Sequence, residues 1–131
     1  MKKIFALLSI TAFLLTACST SSSSVTKVSA PEFLNKISAS DVVILDVRTP
    51  EEFAAGHLPN AVNINVEADD FDAQIANLDK VTTYGVYCRS GNRSGIASEK
   101  MAQAGFSSIF NSTAGLDELV ANGAMAVTNQ K

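Results

Sequence analysis

Tryptophan is absent from these 131 residues, histidine occurs once and cysteine twice. Two cysteines and one histidine cannot supply the common four-ligand sets of structural zinc, so such a site is excluded. Positive charge is also sparse. Ten Lys and Arg face thirteen Asp and Glu, and no basic run extends beyond Lys2-Lys3. The chain therefore lacks the electrostatic stripe that a polyphosphate backbone requires, and no nucleic acid is expected as a partner. The length allows one compact domain and excludes a two-domain enzyme.

What the sequence does contain begins with a leader. Lys2-Lys3 form a positive start, Ile4 to Leu15 an apolar stretch, and Leu15-Thr16-Ala17-Cys18 ends it with small residues before a cysteine. About a dozen helical residues span about 18 Å, too short for a hydrocarbon core of about 30 Å, so residues 1–17 read as a signal peptide. The Leu-x-Ala-Cys ending resembles the bacterial lipobox, which implies that Cys18 is lipidated and becomes the mature N-terminus. Several acyl chains on one residue, palmitate among them, hold more firmly than one. Ser19 follows the anchor where enterobacterial retention at the inner membrane calls for Asp, so by the same resemblance the chain is expected at the outer membrane, facing the periplasm. Losing Lys2 and Lys3 makes the mature chain two units more negative than the formal −3, which suits neither anionic lipid nor DNA. Residues 18–27, opening with a Ser-rich run, read as a disordered tether, and residues 28–127 as the folded domain.

Within that domain, strand and helix signals alternate. Ser29 and Glu32 have capping-box spacing ahead of Phe33, Leu34 and Ile37. Asp41 to Val47 has a continuous apolar, β-branched core suited to a strand covered on both faces. Thr49, Pro50 and Glu52 repeat the capping pattern, with Gly56 placed to stop the helix. Ala61–Ile64 is a short strand candidate, followed by an acidic helix from about Asp69 with Phe71, Ile75 and Leu78 on one face. Thr83–Tyr87 is a strand, Ile96, Ala97, Met101 and Ala104 form a helical face ending at Gly105, Phe106–Phe110 is a strand, and Leu116, Leu119 and Val120 lie in a last helix. The alternation predicts an α/β fold with a parallel sheet and helices on both faces.

Cys88-Arg89-Ser90-Gly91-Asn92-Arg93-Ser94 joins a buried-type strand to a helix start, where open α/β sheets place their ligands. Such a loop can turn successive N–H groups inward as an anion-binding nest, with Gly91 supplying the freedom to curl. A sulfur at the centre of that ring, near Arg89 and Arg93, is expected to be a thiolate of lowered pKa, exposed at the mouth of the sheet. Asp46 and Arg48, at a strand end, are expected to form an ion pair that orders nearby loops. His57 is expected to pack rather than to form a dyad with Cys88.

Three blocks, Asp46–Phe53, Gly56–Ile64 and Tyr87–Ser94, resemble a single-domain rhodanese in order and spacing. The resemblance implies a central five-stranded parallel sheet flanked by helices, and a six-residue active loop such as Cys88 to Arg93. It also implies that Cys88 takes the outer sulfur of thiosulfate as a persulfide, releases sulfite, and passes the sulfur to cyanide or a thiol. Arg89, Ser90, Gly91, Asn92 and Arg93 would bind the substrate and the persulfide; Arg89 would attract the anion, and Arg93 would serve the loop's electrostatics and shape. No metal or organic cofactor is implied. The partners are then a small anionic sulfur donor, a cyanide or thiol acceptor, and a membrane through the lipid anchor. Ala114-Gly115-Leu116-Asp117-Glu118-Leu119 departs from the family's Gly-Gly-x-x-x-Trp.

Two alternatives remain at this level. A sulfane-sulfur carrier or anion-binding module would use the same loop without turnover. Phosphatases and arsenate reductases of related loop type generally place five residues between Cys and Arg, whereas four stand between Cys88 and Arg93.

Overall fold

The computed structural model describes residues 24–129. The expected signal peptide, Cys18 and most of the expected Ser-rich tether therefore lie outside the described residues. In chain order the elements are β1 (Val25–Val28), α1 (Ala30–Ile37), β2 (Val42–Asp46), α2 (Pro50–Ala55), β3 (Val62–Asn63), α3 (Phe71–Ala76), β4 (Thr83–Tyr87), α4 (Asn92–Gln103), β5 (Ser108–Ser112) and α5 (Leu116–Ala121). The five strands form one sheet, ordered β1-β5-β4-β2-β3, and every pairing between them is parallel. Among the described residues no helix is long and apolar enough to cross a membrane.

Each sheet face carries its own core. On one, Phe71 and Ile75 of α3 and Ala97 and Met101 of α4 pack with Leu45, Val86 and Ile109. On the other, Ala30 and Phe33 of α1 and Leu116 and Leu119 of α5 pack with Val28, Leu58 and Tyr87. Burial on both faces is what the continuous apolar reading of the central strands requires. The expected layer arrangement is thus present.

Three local expectations need correction. The sheet begins at Val25, inside the tether expected over residues 18–27, because β1 pairs in register with Val25↔Ile109 through Val28↔Ser112. Val25-Thr26-Lys27-Val28 is a short edge strand in which only Val28 is fully buried, so its own composition carries little strand signal. Ser29 does stand at the N-cap of α1, but its side chain makes no capping hydrogen bond. The last strand lies two residues beyond the expected Phe106–Phe110, at Ser108–Ser112. The second capping box does form: Thr49 Oγ1 accepts from the Glu52 N–H at 3.3 Å, and Glu52 Oε2 accepts from the Thr49 N–H at 3.1 Å.

Candidate active site

Parallel strands bring their carboxyl ends to one edge of the sheet, and three segments meet there. β4 delivers Cys88, β2 ends in Asp46 beside Tyr87, and β5 leads into Thr113-Ala114-Gly115. Gly91 is left-handed at φ +88° and caps α4, so the loop reverses direction directly above the sulfur. A side chain at that φ would be strained, and a Cβ there would also overlap the Thr113 carbonyl.

The Gly91 N–H donates to Cys88 Sγ at 3.1 Å, and the thiol donates to Ser94 Oγ at 3.5 Å. Burial pushes the Cys88 thiol up. The Ser94 hydroxyl and the N–H groups of Ser94, Ser90 and Gly91 outweigh it, and the pKa lies below its ordinary value. The amide ring expected around the sulfur is present. Its exposure is not: Cys88 is 0% accessible and belongs to the α3/α4 core. A nest that converges several donors on one atom covers that atom, so the same geometry that stabilises the anion also closes it off.

The loop is braced from β5. The Leu116 N–H donates to the Cys88 carbonyl at 3.1 Å, and Gly115 lies so close to the Arg89 carbonyl that a Cβ would overlap it. Glycine is therefore required at 115, while the preceding position accommodates Ala114 in the α1/α5 core. Ser94, fully buried, can also donate to the Gly91 carbonyl at 3.1 Å and the Ser112 carbonyl at 3.3 Å. Ser94 closes the Cys88–Ser94 motif, but nothing in the motif indicates that its side chain turns inward.

The two arginines of the loop separate. Arg89 is exposed, joins no ion pair among the described residues, and borders a cleft of about 420 Å³ together with Arg48, Glu52, Leu116, Asp117 and Val120. Arg93 is only partly exposed. Its guanidinium pairs with both carboxylate oxygens of Glu52, at 2.7 and 2.8 Å, and with Glu67 at 3.2 Å. Arg93 thus pairs with two carboxylates and fastens α4 to α2. The hydrogen bond from Arg93 is the main reason the Glu52 carboxyl is pushed down to about 2. Ser90 and Asn92 are exposed on the loop.

Asp46 and Arg48 form the expected pair, buried at 0% and 5% exposure. Arg48 donates to Asp46 from Nη2 at 2.6 Å and from Nε at 2.9 Å, and also to the Gly56 carbonyl at 2.6 Å. Burial and the Asp46 charge push the Tyr87 phenol up; it stays protonated, donates to Asp46 at 2.6 Å, and accepts from the Leu58 N–H at 3.0 Å. This network ties β2, β4 and the Gly56–Leu58 turn together beneath the loop. His57 stacks on Phe53 at 3.7 Å, and its Nδ1 lies 2.8 Å from the Phe53 carbonyl. It is a packing residue.

The profile of the Rhodanese-like domain matches residues 29–122. The chain belongs to the rhodanese-like domain family. This rhodanese-like domain is 32% identical over 124 residues to a putative mitochondrial thiosulfate sulfurtransferase of Schizosaccharomyces pombe, covering 81% of this chain and 87% of that one. It is 31% identical over 102 residues to the adenylyltransferase and sulfurtransferase UBA4 of Debaryomyces hansenii, covering 70% of this chain but only 23% of that protein. Among solved structures, a rhodanese-related protein from Thermoplasma volcanium superposes with a TM-score of 0.67 at 28% identity, covering 77% of this chain and 96% of that one. Relatives named as sulfurtransferases support sulfur transfer in general for this rhodanese-like domain.

Proposed function

We propose that this rhodanese-like domain transfers a sulfane sulfur from thiosulfate, or a similar anionic donor, to cyanide or a thiol through a persulfide on Cys88. The observation that carries the proposal is Cys88 Sγ at the strand end under the curled loop, accepting from the Gly91 N–H at 3.1 Å with the Ser94 hydroxyl at 3.5 Å, in surroundings that lower its pKa. The Cys88 thiolate attacks the outer sulfur of thiosulfate, an S–S bond forms, and the donor's own S–S bond breaks, with its electron pair leaving on sulfite. The persulfide anion then occupies the same amide ring. Cyanide takes the terminal sulfur as thiocyanate and returns the thiolate. Arg89, exposed and free of ion pairs among the described residues, is the guanidinium available to attract the dianion.

Since Cys88 is fully covered, attack requires the Arg89–Asn92 segment to part from the sulfur. Burial of the sulfur also favours a second reading, in which the protein stores and hands over sulfane sulfur with little turnover. Mass spectrometry after thiosulfate treatment, paired with sulfite and thiocyanate assays, separates the two. Enzymatic turnover predicts one added sulfur on Cys88, cyanide-dependent sulfite release, and loss of both in Cys88→Ser. A stable persulfide with little thiocyanate supports the carrier, and equal activity in Cys88→Ser removes both readings.

We further propose anchoring through a lipidated Cys18 at the periplasmic face of the bacterial cell envelope. The chain from Cys18 would enter the domain at Ser24, ahead of β1 and at the end of the parallel sheet opposite Cys88. The reactive loop would then face away from the bilayer. The N-terminal mass of the membrane-extracted protein checks this, since an unmodified Met1 or an unacylated Cys18 contradicts it.

A further inference from the structure

The sulfur of Cys88 is fully covered, so the part of its cover that is held least firmly decides how a donor reaches it. At its β4 end the loop is fixed. The Leu116 N–H donates to the Cys88 carbonyl at 3.1 Å, and Gly115 lies tight against the Arg89 carbonyl. At the other end the cover is the Gly91 N–H, 3.1 Å from the sulfur, and Gly91 is also the N-cap of α4. Gly91 rests against the Thr113 carbonyl, a contact without a hydrogen bond among the described residues.

The first turn of α4 is weak by its own chemistry. Gly91 has no side chain to cap the free N–H groups, no acidic residue stands in that turn, and Arg93 places a cation at the positive end of the helix dipole. The Gly95 N–H meets the Gly91 carbonyl only at 3.4 Å, and a glycine inside a helix weakens it relative to alanine. No apolar side chain anchors the turn either, since Ala97 is the first residue of α4 in the apolar core. Tertiary ties therefore hold it. Arg93 donates to both oxygens of Glu52 at 2.7 and 2.8 Å and to Glu67 at 3.2 Å, whereas the Ser94 hydroxyl reaches the Ser112 carbonyl only at 3.3 Å. The charged, two-pronged bond to Glu52 is the stronger tie.

We infer that the first turn of α4 is a lid over Cys88, hinged at Gly95 and latched by Arg93 to Glu52. Releasing the latch lets residues 92–95 unwind and lifts the Gly91 N–H from the sulfur, while the Arg89 end of the loop stays fixed against Gly115 and Leu116. Glu52 and Arg93 are then positioning residues that set how fast a donor meets the thiolate. The inference rests on Cys88 as the reacting group of the proposed function. Its test does not need that reaction, because alkylation by iodoacetamide requires only a thiolate within reach, so a failure of sulfur transfer and a failure of the lid are told apart.

The full chain is alkylated at a pH above the Cys88 midpoint, where the thiolate fraction no longer changes, and the product at Cys88 is followed by mass spectrometry. Circular dichroism establishes that each variant is folded. A Cβ on Gly95 would stand 3.6 Å from Asn111 Nδ2, an ordinary contact, so Gly95→Ala fits and stiffens the turn. It is expected to slow alkylation roughly two- to fivefold. Glu52→Gln is expected to speed it roughly threefold. Asp72→Asn, which removes the Lys100 pair farther along α4, is expected to leave the rate unchanged. Urea below the unfolding transition separates the lid from global unfolding. Local opening exposes little surface and its rate stays flat, whereas access by global unfolding accelerates roughly fivefold or more per molar. A steep urea dependence overturns the inference. So does an unslowed Gly95→Ala, an unaltered rate in folded Glu52→Gln, or an Asp72→Asn that speeds alkylation as much as Glu52→Gln does. Gly95→Ala decides alone where Glu52→Gln fails to fold.

Discussion

Replacing Ser94 with alanine isolates the contribution of one hydroxyl to the state of the sulfur. The Ser94 hydroxyl has a single proton and three acceptors in reach: the Gly91 carbonyl at 3.1 Å, the Ser112 carbonyl at 3.3 Å and Cys88 Sγ at 3.5 Å. While Cys88 is a thiol, the S–H donates to Ser94 and the serine proton is held by a carbonyl. Once Cys88 is a thiolate, the proton swings to the sulfur and that carbonyl is given up. A hydrogen bond to a charged group contributes about 1.5–3 kcal/mol and a neutral one about 1, so the exchange favours the thiolate by roughly 0.5–2 kcal/mol. The long sulfur contact places the effect near the lower end. Ser94→Ala is therefore expected to raise the Cys88 pKa. The remaining amides of Ser90, Gly91 and Ser94 hold the rest of the depression. The assay is the pH profile of Cys88 alkylation by iodoacetamide, read beside circular dichroism to establish that the variant is folded. A folded variant with an unmoved alkylation midpoint would refute the serine's electrostatic role, because a purely structural contribution leaves that midpoint where it was.

Glu52→Gln is expected to destabilise the fold by roughly 1–2 kcal/mol at neutral pH, a figure discounted because the pair with Arg93 is partly exposed. The folded Glu52 pKa of about 2 lies below the ordinary 4.5, so its stabilisation is complete above the unfolded value and disappears as pH falls through about 2. Urea denaturation from pH 7 to pH 2 should therefore show the two proteins converging at acid pH, and a constant gap would contradict the assignment. Asp46→Asn leaves the Arg48 charge buried without its partner, and a loss of about 3–5 kcal/mol by denaturant unfolding is expected. Gly115→Ala forces a methyl against the Arg89 carbonyl; a cost of about 1–3 kcal/mol is expected together with a shifted Cys88 alkylation profile, since the displaced loop carries the amides. Wild-type stability and profile in that variant would show that β5 does not brace the loop.

The elements that are readable in the chain are those whose causes are local. The β-branched run at Val42–Leu45, the pairing of Thr49 with Glu52 three residues on, and the step from Tyr87 through Gly91 into α4 depend on neighbours a few residues away, and side-chain periodicity and turn chemistry report on that range. The place of Cys88 at a strand end, ringed by its own loop's amides, was legible for the same reason. Edge strand β1 was not, because four residues with one buried side chain become a strand only through the ladder that β5 offers them.

Tertiary structure alone decided where the charges of the site point and whether its sulfur meets solvent. Arg93 lies five residues from Cys88 in sequence, yet it is claimed by Glu52 and Glu67, 41 and 26 residues away, because an ion pair goes to whichever carboxylate the fold brings within reach. Tyr87 reaches Asp46 across 41 residues, by adjacency of β2 and β4. The residues of the loop determine that a thiolate can be stabilised there. That the loop stays closed over the sulfur is set by Thr113 and Gly115, which lie against Gly91 and the Arg89 carbonyl from a distant part of the chain, since close packing is a property of the assembled elements and of no single segment.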